Sequence, residues 1–440
     1  MECVNTKKET LYCRKIRIYP NKEQRSLFKK CLGTTRYIYN KGVRKLKDEW
    51  KQLFDKAEKN GCVKCGKELH NKLFCKKHVK CKPKINFPLS IKKLRPLLMK
   101  SDEDLTEEEE WLKEIPYDTR QLVIRVLIGN IKAALENKKR GNITHFSMGY
   151  KSKKDNKQCF YINKSAINKN CIFKTRLKKK SKIRMRKRYK KYYNCRPTSN
   201  CIIIKDVHNW YLLIPKNKKV KYQKPKYSYC ALDPGVRTFQ TMYSPDGVMG
   251  KFGDNLSTRL ELINKRIDLL KSLRSKIKNR RTRKNLDLRC FKLRTKVKNI
   301  VNDFQWKLSN YLVKNYHVIM LPSFESQKMI KNNKLAKKTK RVFNSLSHYQ
   351  FQMKMKYQCK KWKRKLMIVN ESYTSKTCTR CGEQNHKLKG SKVFKCNKCN
   401  LLIDRDINGA RNIFIKNRGQ DKDLETVETE IDGDSHKINL

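Results

Sequence analysis

Residues 367–414 read MIVNESYTSKTCTRCGEQNHKLKGSKVFKCNKCNLLIDRDINGARNIF, which puts four cysteines between carboxylates in one short segment. Cys378-x-x-Cys381 and Cys396-x-x-Cys399 are two knuckles, and the 14 residues between them match the length of a zinc ribbon. Gly382 stands beside the first knuckle at a turn position. Four thiolates close a tetrahedral site and leave no open position for a substrate, so the ribbon is a folding element. Chemistry must come from its neighbours. Asp404-Arg405-Asp406-Ile407-Asn408-Gly409-Ala410-Arg411 follows directly, a polar start feeding a helix that by itself is only a capped helix beginning. Far upstream, Ala231-Leu232-Asp233-Pro234-Gly235 is an apolar strand ending in a carboxylate and a turn. A fold that brings a first strand against a late helix would unite the two acids.

Composition limits the partners. The 440 residues hold 109 Lys and Arg against 39 Asp and Glu, a formal net charge of +70. Such a surplus repels itself unless a polyanion neutralises it, and nucleic acid is the natural partner. The length allows two or more cores, so a multidomain α+β protein is expected. No apolar run could span a bilayer, and the opening MECVNTKKETLYCRK lacks a secretory core, so a soluble intracellular protein with no membrane partner is expected. In that compartment the 18 cysteines read as zinc ligands and buried thiols rather than disulfides.

Along the chain, a short strand passes into a helical pattern over residues 12–58, with Leu27, Cys31, Leu32, Tyr37, Val43 and Leu46 apolar. Cys62-x-x-Cys65 and Cys75-x-x-His78 have the spacing of a second zinc knuckle, with Cys81 able to replace His78. An acidic patch over Asp102–Glu110 precedes a helix over 117–138. From residue 144 short alternating strands predict a small β-barrel or curled sheet. Its basic run holds Lys178, Lys179, Lys180, Arg184, Arg186 and Arg188, and reads as a phosphate-binding strand for structured RNA. A strand from Tyr227, a hairpin turn at Ser244-Pro245-Asp246-Gly247, a helical pair over 256–316 with a stripe of Leu260, Ile263, Ile267, Leu270 and Leu273, a strand at 317–321, a helix over 345–362 and a strand at 366–369 complete the pattern. Gly419 to Leu440 turns acidic without periodicity and reads as disordered.

The order LDPG, an acidic residue, YTSKTCTRCG with the ribbon, then DRDINGARNI resembles the RuvC-like nuclease of TnpB proteins, transposon-encoded RNA-guided DNA endonucleases related to type V CRISPR effectors. Their eukaryotic and viral relatives, the Fanzor proteins, are the branch it is most similar to. RKIRIYP at Arg14–Pro20 resembles the family's opening as well, so the likeness covers nearly the whole chain. It implies a first wedge strand at 1–20, a helical recognition domain at 21–143 with the knuckle insert at 60–82, and a wedge β-barrel at 144–226. An RNase H-like, RuvC-like α/β nuclease would then run over 227–376, the zinc ribbon over 377–400, the last nuclease part over 401–418 and the tail over 419–440.

The resemblance also implies a reaction: Mg2+-dependent hydrolysis of DNA matched to a bound guide RNA, beside a short target-adjacent motif. Asp233, Glu371 and Asp406 would hold two Mg2+ ions, with Arg405 and Arg411 positioning the last helix or touching the nucleic-acid backbone. One departure matters. The family usually places its middle glutamate directly after the strand Val318-Ile319-Met320-Leu321, and here Pro322 stands there. Glu371 at the end of the neighbouring strand is the favoured replacement, because adjacent strands lie only about 4.8 Å apart; Glu325 is the rival. The expected partners are an omega-type guide RNA and double-stranded DNA, with a monomeric protein acting in a nucleus, the host's if the source is viral. A catalytically inactive nucleic-acid binder is the alternative. A DDE-type transposase is less favoured, since its acids run Asp, Asp, Glu with no ribbon before the last.

Overall fold

The computed structural model describes residues 10–60, 89–99, 105–143, 147–189, 197–207, 209–218, 223–323, 336–386 and 391–420. They fall into two compact units, Met1–Lys219 and Val220–Leu440. No helix among the described residues is long and apolar enough to cross a membrane.

In the first unit, β1 (Thr10–Tyr19) alternates, burying Ile16 and Ile18 while Lys15 and Arg17 point outward. It runs into α1 (Lys22–Asn60), whose start is fixed by a reciprocal pair: Gln24 N donates to Asn21 Oδ1 at 2.8 Å and Asn21 N to Gln24 Oε1 at 3.2 Å. The second half of α1 packs Ile38, Val43 and Leu46 against α2 (Ile91–Leu98) and α3 (Tyr117–Lys139). Its first half lays Phe28, Cys31 and Leu32 on a sheet.

That sheet holds β2 (Lys157–Ile162), β6 (Cys201–Asp206), β7 (Asn209–Lys218), β1 and β5 (Arg184–Met185), antiparallel throughout. Between β2 and β5 lie the two-residue pair β3 (Ile167–Asn168) and β4 (Cys171–Ile172) and the single turn α4 (Lys174–Leu177). The expected barrel is an open sheet among the described residues. No pairing joins two-residue β5 to β2, and α1 covers the face that a barrel would turn inward. The basic run at 174–181 is likewise not a strand. Positive φ at Phe173 (49°) and Lys178 (45°) breaks the extended path, and the chain coils through α4 and a tighter turn at Lys178–Ser181.

In the second unit, β8 (Tyr227–Pro234), β9 (Gln240–Tyr243) and β10 (Met249–Phe252) form an antiparallel run, the β9–β10 hairpin turning at Gly247 with φ +77°. Then come α5 (Leu256–Lys276), α6 (Arg280–Asn315) and β11 (Tyr316–Pro322). After these follow α7 (Lys337–Leu346), α8 (His348–Trp362) and β12 (Lys365–Val369). The sheet order is β10-β9-β8-β11-β12, with β8, β11 and β12 parallel. The helix read over 345–362 is broken at Ser347, whose φ of 52° ends α7 and starts α8. The α5 stripe is also narrower than read: Leu260 and Ile267 are buried, whereas Leu273 is 52% exposed.

A hairpin of β13 (Val393–Lys395) and β14 (Leu402–Asp404) precedes the last helix, α9 (Arg405–Asn417). Side chains on a strand alternate faces, and β8 uses both. Cys230 and Leu232 join the large core with Leu312 of α6 and Phe351 and Met355 of α8, while Tyr229 and Ala231 pack with Val318, Met320 and Ile413 of α9. Asp233 has the parity of the second set. The strand therefore delivers its terminal carboxylate to the face that α9 covers.

Candidate functional site

α9 meets Asp233 through Gly409. A Cβ built at Gly409 would stand 2.5 Å from Asp233 Oδ2, so only glycine lets the helix come this close. Burial is the largest influence on the Asp233 carboxyl, followed by the nearby charges of Asp406 and Glu371; together they push it up to about 8, partly offset by Arg405. Three acids from a first strand, the end of β12 and a late helix thus share one neighbourhood.

Asp406 sits in the first turn of α9. The turn is held by Asp404, whose Oδ1 accepts from Asp406 N at 3.0 Å and Ile407 N at 3.2 Å, and whose Oδ2 pairs with Lys251 Nζ at 2.6 Å. With both oxygens engaged, Asp404 is the cap and Asp406 is the carboxylate left to face Asp233.

Glu371 is half-buried, and burial raises its carboxyl above the usual range. Its place follows from register. Pro322 pairs with Val369, so Glu371 lies two residues beyond the level where β11 ends. The segment carrying it is strapped to α9 by a row of asparagines. Asn412 Nδ2 donates to Thr374 O at 2.8 Å and Thr377 O at 2.6 Å; Asn408 donates to Thr377 O at 2.8 Å and accepts from Thr379 N at 3.2 Å. Asn417 Nδ2 reaches Asn370 O at 3.4 Å. Sequence reading missed this strap. The signal was available in retrospect: Asn408 and Asn412 stand one helical turn apart, and a glycine inside a helix marks a close approach.

Beneath the site, His348 stacks on Phe239 with ring centres 4.7 Å apart and planes 11° from parallel. Burial pushes its imidazole down to about 4, with a backbone hydrogen bond at Gly235 acting the other way. The ring is neutral at physiological pH and supports the turn after Asp233.

The sulfur atoms of Cys378, Cys381, Cys396 and Cys399 all lie within 4.8 Å of one another. Arg380 N donates to Cys378 Sγ and Cys399 N to Cys396 Sγ, each at 3.4 Å, the contacts that stabilise thiolates in a metal knuckle. Gly382 turns the first knuckle at φ +77°. Phe394, Leu401 and Ile403 pack around the sulfurs as a small core of their own. Among the described residues this cluster could hold one metal ion, and zinc suits four thiolates.

The basic residues named from sequence divide. Lys178 and Lys179 are exposed. Arg184 and Arg186 line an open recess of about 1030 Å3 with Lys22, Arg25 and Lys29 at the start of α1. Lys180 is spent on structure: its Nζ pairs with Glu23 at 2.8 Å and its carbonyl accepts from Gln24 Nε2 at 2.8 Å. Arg411 lies over the Tyr243 ring at 5.8 Å, which anchors α9, and Arg405 tempers Asp233. The side chain of Arg188, the rival acid Glu325 and the second knuckle of Cys62, Cys65, Cys75, His78 and Cys81 lie outside the described residues.

A mixed sheet whose parallel strands end at clustered acids, beside a four-cysteine hairpin, defines the class of protein. The segment 348–413 matches the family model described as "Cas12f1-like, TNB domain", and residues 13–54, here β1 and most of α1, match one described as "Helix-turn-helix domain". The TnpB-like protein MJ0751 of Methanocaldococcus jannaschii is 30% identical over 215 residues, 46% of this chain and 71% of that protein. Protein A625R of Paramecium bursaria Chlorella virus 1 is 28% identical over 431 residues, 96% of this chain and 90% of that one. The CRISPR-associated endodeoxyribonuclease Cas12f1 of Sulfoacidibacillus thermotolerans is 32% identical over 79 residues, 18% of each chain. The chain belongs to the TnpB-like family.

Proposed function

We propose that the chain is an RNA-guided, Mg2+-dependent DNA endonuclease of the Fanzor branch, with an RNase H-like, RuvC-like nuclease domain and a zinc ribbon set between Glu371 and Asp406. The observation that carries this reading is the nearness of Asp406 and Glu371 to the Asp233 carboxyl, which burial first and then these two charges push up. The strand order, three antiparallel strands followed by two parallel ones, suits an RNase H-like sheet.

Three carboxylates are the donor set that hard divalent cations take, although among the described residues only the four sulfurs lie within 4.8 Å of one another, so the acids must draw closer around an ion. Crowded carboxylates oppose one another until a cation relieves them, and oxygen ligands are what Mg2+ prefers. Asp233, Glu371 and Asp406 would hold the pair of Mg2+ ions, whose chemistry would be activation of a water and charge stabilisation at the leaving 3′ oxygen. The chain supplies the rest. Asp233, Glu371 and Asp406 are the three ligands, and each must be ionised to serve. Gly409 lets Asp406 approach Asp233, and Asn408 and Asn412 fix the segment after Glu371 against the same helix. Zinc held by Cys378, Cys381, Cys396 and Cys399 would keep the hairpin folded beside them.

Family membership and the +70 charge support a guide RNA and a double-stranded DNA target as partners. Lys178, Lys179, Arg184 and Arg186 would then meet phosphates, while base pairing reads the target and the protein reads duplex shape and a short motif. The particle contains one copy of the chain and acts in a nucleus.

The test is to co-express the chain with its flanking genomic DNA, sequence the RNA that copurifies, and challenge the particle with a target library in Mg2+ or EDTA. A discrete RNA with guide-dependent cutting, abolished by Glu371→Ala, is the expected result. Bound RNA with no cutting under any condition would replace this reading with an inactive binder.

A further inference from the structure

A second basic recess lies in the Val220–Leu440 unit, on the helical layer. It has a volume of about 620 Å3 and is walled by α5, α6 and α7. Lys271 comes from α5, Arg294 and Lys298 from α6, and Lys340 and Arg341 from α7. Arg341 is satisfied: it pairs with Asp268, and its Nη2 donates to Asn264 O at 3.2 Å. Glu261 is taken by Lys265 and Lys338. Lys271, Arg294, Lys298 and Lys340 have no acidic partner among the described residues. Asn264, 8% exposed, also lines the recess, and its Nδ2 finds no acceptor among the described residues.

The geometry points to a phosphate-binding pocket in this recess, built for an anion with several closely spaced phosphates. The charged groups facing the recess are all donors, so the ligand must be rich in acceptors. With Lys337, which also lines the recess, five cations without an acidic partner among the described residues repel one another there, so the ligand must also carry more than a single charge. A run of phosphates meets both demands, and the volume lies in the range of small-ligand sites. The phosphates belong either to a nucleic-acid strand or to a free polyphosphate. The pocket stands on its own residues, apart from any cleavage activity.

The test uses the full chain and two probes, fluorescent single-stranded RNA and inorganic triphosphate. Lys271→Glu/Arg294→Glu/Lys298→Glu is compared with Arg283→Glu/Lys284→Glu/Lys292→Glu, which makes the same charge change on exposed residues of α6 outside the recess. The recess variant should weaken triphosphate binding at least tenfold and lower the salt slope of RNA binding by roughly 2 to 3, since each lost phosphate contact removes about one. The control variant should hold triphosphate affinity within twofold. Asn264→Leu, which alters no charge, should weaken both probes with the thermal melt retained. A loss confined to RNA assigns the pocket to a strand, and one confined to triphosphate assigns it to a free polyphosphate. Equal losses in recess and control variants, or none in either, overturn the proposal.

Discussion

Each unit of the molecule is built on a five-stranded sheet, and the two sheets spend their charge in opposite ways. The first is wholly antiparallel, keeps Lys15, Arg17 and Arg184 on its outside and brings no cluster of acids together among its described residues. The second is parallel at its centre and gathers Asp233, Glu371 and Asp406 at one end of its strands. In a chain this basic, like charges on the surface are tolerated because solvent and a polyanion screen them. Acids brought together under a helix oppose one another until a proton or a cation relieves them. On the proposed function, the contrast separates holding a nucleic acid from cutting it, and single substitutions should pull the two apart.

The largest effect is expected at the acids. Asp233→Asn and Asp406→Asn should each lower Mg2+-dependent cleavage by at least about a hundredfold, on the scale of lost transition-state electrostatics. RNA retention, read by filter binding, should stay within twofold. Gly409→Ala comes next. A methyl 2.5 Å from Asp233 Oδ2 must displace helix or carboxylate, and misplacement of about 1 Å can cost a hundredfold in rate. Circular dichroism should show the fold intact. The converse comes from the first unit: Arg184→Glu with Arg186→Glu should weaken RNA binding by about tenfold and flatten its salt dependence while leaving Mg2+ requirement unchanged. If the pair of reversals instead removed the Mg2+ requirement, the division between the sheets would fail.

Two smaller effects concern stability within the second unit. His348 is protonated near 6.5 when unfolded but only near 4 when folded. Its contribution is therefore fully present above pH 6.5 and is lost as pH falls toward 4, because the unfolded chain takes up the proton first. The melting temperature should drop across that window, by the equivalent of at most about 3 kcal/mol, and His348→Phe should flatten the drop. Asn412→Ala removes the donor to Thr374 O and Thr377 O and should cost about 1–3 kcal/mol in denaturant unfolding.

The elements that carry strong periodicity or turn chemistry were readable from sequence. β8 with Asp233, the 244–247 turn and the two cysteine knuckles all follow from local pattern. What failed was nonlocal. Closure of the first sheet depends on whether β5 pairs with β2, which no alternation of residues 144–226 can reveal. The break at Ser347 is a single positive φ at a serine, with no glycine or proline to announce it. The asparagine strap escaped notice because asparagine on a helix ordinarily signals only a weak helix former. The resemblance already favours Asp406 over Asp404, and the two amide donors and Lys251 on Asp404 supply the physical reason.

The strap has a further consequence. Glu371, the sulfur cluster and Asp406 follow one another in sequence and are tied to one helix, so the spacing of two of the three acids is set within a single short stretch of chain. Placing that stretch against Asp233 also depends on what α9 covers: Lys251 on Asp404, Tyr243 under Arg411, and Val318 and Met320 around Ile413.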